Sequence, residues 1–390
     1  MKICMITYSF YEMDPRVRRD SECLVNRGDA VDVICLRGEG REKHDRLSGV
    51  NVYRIQRRQG NEKHPIGYLK RLLYFFFLSA FTVTRLFLKK RYNLIQVRSY
   101  PDFEVFATFI PKLFGAMVVL NIHELVPEFY ARKFGLHANH VVVRFLKWVE
   151  KISCRFVDHV ITISDIWKNT LVRRSVPESK CTVVLTVPDP RVFKPIEYKD
   201  RSEIFTLMCF GKLTEYYGLD IAIKAIDIIR REVPSVKLEI NAYDGPQRDA
   251  LLKLIANLKL EKFVRFNITK LLPLDEYSEL MRRADIGIDP RRGGVFAGEY
   301  LSSVVMNFFT TRIPVVVSRT KAYKIYFDES MVMFFEPDDY HDLARCIVEL
   351  SNNPKERQEL VKNADGFIKD HSWERYKKIY YELADDLCKS

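Results

Sequence analysis

The sequence contains no Cys-x-x-Cys pair. Its eight cysteines are scattered, and Cys4 and Cys35 stand inside apolar runs at residues 2–6 and 33–36. This argues against a zinc ribbon or a disulfide framework and fits buried thiols in a reducing compartment. No secretory pattern opens the chain, because the apolar stretch after Lys2 is broken by Glu12, Asp14 and Arg16. A cytoplasmic protein is therefore expected. No G-x-G-x-x-G follows the first strand pattern and no Walker P-loop occurs, so the two commonest nucleotide-phosphate fingerprints are missing. No Asp-x-Asp pair stands at a strand end, so neither a bound metal nor another cofactor is expected. Acid is nearly absent from residues 51–100, which hold one glutamate against 11 basic residues.

What is present is a chain of 390 residues with 47% hydrophobic and 29% charged residues, the balance of a globular protein with two domains. The net charge of +12 is uneven. Residues 1–200 carry 34 basic and 21 acidic groups, and the rest carry 29 and 30. Such a field attracts a nucleic acid, an anionic membrane face or a phosphorylated substrate. Residues 72–88 are almost wholly apolar, with Lys70 and Arg71 before them and Lys89, Lys90 and Arg91 after. A buried helix, an interfacial helix and a membrane span all fit that run, and flanking charge on both sides suits the interfacial form. Fusion of the basic stretch to an apolar run speaks against nucleic acid as the partner.

Short β-rich runs at residues 2–8, 30–36, 52–57, 94–98, 117–121 and 159–164 alternate with helical patterns at 16–27, 67–91, 103–114 and 141–156. Pro188, Asp189, Pro190 and Pro195 interrupt the pattern as a linker would. Strand patterns at 205–210, 236–242, 264–267, 285–289 and 314–318 then alternate with helical ones, and three helices from residue 340 close the chain. The expected fold is α/β: two Rossmann-like, doubly wound domains with a cleft between them and ligands at the carboxyl ends of the strands. The expected domains are 1–188 and 189–372, with a terminal helix at about 373–390 as a candidate to pack back on the first.

Four segments stand where such strands end. After the first strand, Asp14 and Pro15 carry helix-start chemistry. Arg16 and Arg18 follow as phosphate or acceptor candidates, with a solvated helix face as the alternative. His123-Glu124 follows the strand at 117–121 and has no packing rationale there. In the second half, Gly211, Lys212, Thr214, Tyr217 and Gly218 form a loop in which the glycines permit close approach and Lys212 offers a cation for phosphate. Gly245-Pro246 adds a tight turn, and Asp289-Pro-Arg291 leads on to Glu299 and the helix containing Asn307.

The order and spacing of these pieces resemble the GT-B glycosyltransferases of family four, which move a sugar from a nucleotide diphosphate to an acceptor. The resemblance rests on residues 14–18, 119–128, 162–164, 187–193, 210–214, 217–220, 284–290 and 313–318. It implies a C-terminal domain that binds the nucleotide sugar and an N-terminal domain that binds the acceptor. It further implies catalytic roles for His123, Glu124 and Glu299, and donor contacts from Gly211, Lys212, Thr214, Tyr217, Gly245, Arg291, Ser303 and Asn307. Lys212 holds the place where the family usually has an arginine for the diphosphate. Transfer with retention follows if a donor phosphate oxygen takes the acceptor proton. Three positions depart from the family: Asn307 replaces the second glutamate of E-x7-E, Tyr217 replaces a lysine, and His123-Glu124 replaces His-Asp. The implied activity is assembly of a surface polysaccharide or glycolipid from a nucleotide sugar and a glycan or lipid-linked acceptor. The setting is the inner face of the cell membrane, held peripherally through residues 51–100. The alternative is a catalytically weak GT-B subunit that binds a glycan or a partner enzyme.

Overall fold

The computed structural model describes residues 1–58, 65–197, 203–269, 274–293 and 301–389. The chain forms two compact units, one made of Met1–Thr186 with Tyr376–Ser390 and the other of Val187–Arg375.

The strands of the first unit are β1 (Lys2–Phe10), β2 (Ala30–Arg37), β3 (His44–Leu47), β4 (Val50–Arg57), β5 (Leu94–Arg98), β6 (Met117–Ile122), β7 (His159–Thr162) and β8 (Cys181–Val183). They form one sheet in the order β3-β4-β2-β1-β5-β6-β7-β8. β3 and β4 pair antiparallel, and the other pairs are parallel. Ile3, Met5, Ile6, Val33 and Ile34 have no exposed surface, as strands covered on both faces require. The helix Pro15–Arg27 begins where the sequence signals it. The Asp14 side chain accepts from the backbone N–H groups of Arg16 and Val17, Pro15 opens the first turn, and Gly28 ends the helix at φ +100°.

The second sheet contains β9 (Phe205–Lys212), β10 (Val236–Tyr243), β11 (Val264–Thr269), β12 (Ile286–Asp289), β13 (Val315–Ser318) and β14 (Met333–Phe335). It is parallel throughout, in the order β11-β10-β9-β12-β13-β14. Leu207, Cys209, Ile226, Ile240 and Ile288 belong to its core. The strand order reverses between β1 and β5 in the first sheet and between β9 and β12 in the second. Loops leaving a parallel sheet diverge at such a point and open a crevice at the carboxyl ends.

Three features differ from the sequence expectation. β3 is an exposed edge strand without apolar alternation, so no period-2 signal marks it. The helical stretch expected at 103–114 is a 3-10 segment, Asp102–Thr108, followed by a short helix, Phe109–Leu113. Pro111 is the cause, since proline is tolerated only in a first turn and the α-helix must begin just before it. The helices Val126–Lys133, Asp165–Arg174 and Lys321–Tyr326 and the short strands β8 and β14 are additional.

The helix Pro65–Lys90 buries a stripe of Leu72, Phe75, Ser79, Val83 and Phe87. Beneath it lies Glu104, almost wholly buried and hydrogen-bonded to Ser79. Burial pushes the Glu104 carboxyl up to about 8 against that hydrogen bond. Asp102, held by the Ser99 hydroxyl at 2.5 Å, is pushed up to about 7 by burial and by the nearby Glu150. Both acids keep a proton in the folded state at pH values where the unfolded chain releases it. Stability therefore falls as pH rises from the ordinary carboxyl range through the folded values. Glu104→Gln should remove much of this slope. Urea denaturation at pH 5 and pH 8 should show the wild type losing on the order of 2 kcal/mol more than the variant.

Candidate functional site

The first group of candidates gathers where β1, β5 and β6 end. Arg98, the last residue of β5, is buried, pairs with Asp20 through one terminal nitrogen, and places the other 3.1 Å from His123 Nε2. A guanidinium can only donate, so Nε2 accepts and the imidazole proton resides on Nδ1. That Nδ1 is buried and has no partner among the described residues. Burial, together with the charges of Arg16, Arg98 and Arg19, holds the His123 pKa well below the usual histidine value. His123 is thus a neutral donor positioned by a cation. Glu124 beside it is exposed. Arg16 is half-exposed, with Nε 3.6 Å from Asp14, whereas Arg18 points outward and lies 3.5 Å from Glu22. The structure therefore brings Arg16 toward His123 and leaves Arg18 on the helix surface.

The second group lies at the order reversal of the second sheet. Lys212 ends β9 as an exposed cation. Thr214 follows, and its hydroxyl is buried without a partner among the described residues. The Tyr217 ring covers Gly211, where a Cβ would stand 2.6 Å from the ring, and the Arg291 guanidinium lies 5.0 Å from the ring centre. Gly218, at φ +63°, admits the Pro290 carbonyl so closely that a Cβ would sit 1.8 Å from its oxygen. This contact locks the loop after β9 to the loop after β12, and only glycine permits it. Gly245 also passes close to a carbonyl, and a Cβ there would stand 2.4 Å from the Leu213 oxygen.

Arg291 is 3% exposed and Asp289 is 1% exposed. Arg291 Nε lies 3.1 and 3.0 Å from the Asp289 oxygens, and its Nη2 donates to Ser302 at 3.0 Å. Tyr323 also donates to Asp289. Arg291 therefore forms the wall of the site. Ser302 sits at the N-terminus of the helix Ser303–Thr311 and makes no side-chain cap there. Ser303 is exposed on that first turn, and Asn307 is buried one turn later beside the Tyr277 hydroxyl. Glu299 lies outside the described residues. Among those described, no group of three or more His, Cys, Asp or Glu side chains comes together to hold a metal.

Sequence reasoning missed Asp20, Arg98, Tyr277, Ser302 and Tyr323. Arg98 had a signal, a charge closing an apolar strand, but the others become visible only through tertiary contact.

Residues 13–185 match the family model described as Glycosyl transferase 4-like domain, and residues 194–367 match Glycosyl transferases group 1. The chain belongs to the family-four-like GT-B glycosyltransferases. Solved structures carry the same fold. Sucrose-phosphate synthase from Thermosynechococcus elongatus superposes with a TM-score of 0.78 at 16% identity, covering 99% of each chain. Anabaena HepE in complex with UDP-glucose gives 0.70 at 17% identity, covering 99% of this chain and 100% of that one. A curated Arabidopsis thaliana protein, one of the subunits of phosphatidylinositol N-acetylglucosaminyltransferase, is 23% identical over 279 residues, 69% of this chain. The match spans 57% of that relative's length.

Two outcomes are expected of this family member. Nitrogen-15 NMR should find the His123 ring neutral, with its proton on Nδ1, from pH 8 down to pH 5, where a free histidine would be charged. Asp289→Asn should leave the buried Arg291 charge poorly compensated and destabilise the protein by about 3 kcal/mol in chemical denaturation.

Proposed function

We propose that the protein transfers a sugar from a nucleotide-diphosphate sugar to a glycan or lipid-linked acceptor, with retention, in surface polysaccharide or glycolipid biosynthesis. The observation that carries this reading is the crevice where β9 and β12 part. An exposed Lys212 ends β9, the Thr214 hydroxyl after it has no partner among the described residues, and the helix that follows β12 begins at Ser303 without a side-chain cap from Ser302. Departure of a nucleoside diphosphate gathers negative charge on its phosphates, and a cation with helix N–H groups stabilises that charge as it forms. Lys212 would serve the diphosphate, Asn307 a ribose hydroxyl and Glu299 the hydroxyls of the transferred sugar. In the first unit, which would receive the acceptor, His123 would keep the catalytic role that the resemblance implies, with its Nδ1–H as the donor. Crystals of HepE with UDP-glucose, a protein of the same fold, support a nucleotide sugar as the donor. This reading invokes no metal or cofactor. It places the enzyme in the cytoplasm, drawn peripherally to the inner face of the membrane through basic residues 51–100 and engaging no nucleic acid.

One observation favours a second reading. Tyr217 occupies a family lysine position, and its ring is engaged by Gly211 and Arg291. A site short of one cation suits a weakly active subunit that binds a glycan or a partner enzyme.

A thermal-shift screen of nucleotide sugars followed by transfer assays tests the proposal. One donor should raise the melting temperature, and Lys212→Ala should weaken its binding about tenfold, equivalent to about 1.4 kcal/mol. Glu299→Ala should abolish turnover without lowering the melting temperature. A flat response to every nucleotide sugar would refute the donor reading, and an intact donor alongside glycan binding would establish the subunit reading instead.

A further inference from the structure

The connections from β4 to β5, β5 to β6 and β6 to β7 all move the same way along the first sheet. Right-handed crossovers therefore stack their helices on one face. Contacts bear this out. The helix Pro65–Lys90 packs on the 3-10 segment Asp102–Thr108, which packs on the helix Val141–Phe156. Phe76 meets Phe103, and both Phe106 and Phe109 meet Phe156. The inner side of this layer is committed to the sheet, with Phe75, Val83, Phe87 and Val143 buried to 2% or less. The outer side is not. Phe77, Phe81, Phe109, Leu113, Phe145 and Trp148 are each more than half exposed.

Charge identifies what covers that face. The helices Pro65–Lys90, Phe109–Leu113 and Val141–Phe156 carry ten lysines and arginines and one acid, Glu150. Glu150 is fully buried and paired with Arg174 at 2.6 Å, so the outer surface of these helices presents no carboxylate. A second copy would set like charges against each other, whereas an anionic lipid surface complements both the aromatic side chains and the basic ones.

We infer that this three-helix layer is a monotopic docking platform. It lies flat on an anionic bilayer, with the aromatic side chains among the acyl chains and the basic side chains at headgroup level. The inference rests on the membrane attraction proposed above and extends it to two elements outside residues 51–100. The helix Pro65–Lys90 is long and apolar enough to cross a membrane. Crossing would strip its inner stripe from the sheet and part Ser79 from Glu104, so the platform assigns it to the surface instead.

The test uses the full chain and sedimentation with vesicles of phosphatidylcholine alone or with about 30 mol % phosphatidylglycerol. The wild type should bind only the anionic vesicles, and brominated acyl chains should quench its fluorescence by a component that Trp148→Phe removes. Phe145→Ser with Trp148→Ser, both at exposed positions, should lower partitioning about tenfold or more while the melting temperature and any donor-induced shift stay unchanged. Wild-type partitioning by that double variant, together with no quenching of Trp148 in the wild-type protein, overturns the platform. This holds even if Lys89→Gln, Lys90→Gln and Arg91→Gln together release the protein, a result that would mean attachment by one helix. Failure to bind either vesicle removes the membrane attraction itself. A dimer that the double variant disperses gives the face to a second copy and also overturns the proposal.

Discussion

Every crossover in these two sheets must turn right-handed, and most of what distinguishes the protein follows from that constraint. Because these crossovers join parallel strands, the carboxyl ends lie at one edge, and residues far apart in sequence, such as Asp20, Arg98 and His123, meet there. The same constraint places the helices after β4, β5 and β6 in a single layer. The chemistry and the apolar face of the first unit thus have one geometric origin. An edge carries the chemistry and a face carries the aromatic side chains.

At both edges a buried arginine is tied to an aspartate. Arg98 with Asp20 and Arg291 with Asp289 are costly to desolvate and gain from their partners mainly definition of geometry. Arg98 fixes the tautomer of His123, and Arg291 fixes the wall against Ser302 and the Tyr217 ring. With those cations engaged, Lys212 is left exposed at the strand end and Arg16 half-exposed beside Asp14. This division between structural and available charge explains why counting basic residues near a motif says little about which of them meets a ligand.

The alternation of strands and helices was legible because buried parallel strands are continuous apolar runs and the helices between them are amphipathic. The cap at Asp14 and Pro15 and the strand at residues 94–98 could be read directly. The short helix Lys321–Tyr326 and the edge strand β3 could not, since neither carries a full period of either pattern. In the site, Gly211, Lys212 and Gly245 could be located because turn chemistry marks them. What each does was hidden: Gly211 underlies Tyr217, and Arg291 proves to be a buried strut. Tyr277, Ser302 and Tyr323 look ordinary in sequence and matter only through the partners that folding supplies. The outer faces of Phe109–Leu113 and Val141–Phe156 were invisible for a related reason. Sequence periodicity separates apolar from polar positions but not a covered apolar side chain from a bare one.

The last helix returns to the first unit. Tyr380 reaches Gln96, Tyr381 donates to the Cys23 carbonyl at 2.6 Å, and Arg27 holds Asp385 at 3.0 Å. The second unit is therefore an insertion in the chain of the first, and the two differ in how they are completed during synthesis. The second unit is continuous and has its whole sequence once Arg375 has left the ribosome. The first begins earlier and finishes later, with the side of its sheet at Leu94, Gln96, Val119 and Ile161 uncovered until the final turns arrive. A ribosome stalled soon after Arg375 had emerged would release a chain with a finished second unit and an open, aggregation-prone first one.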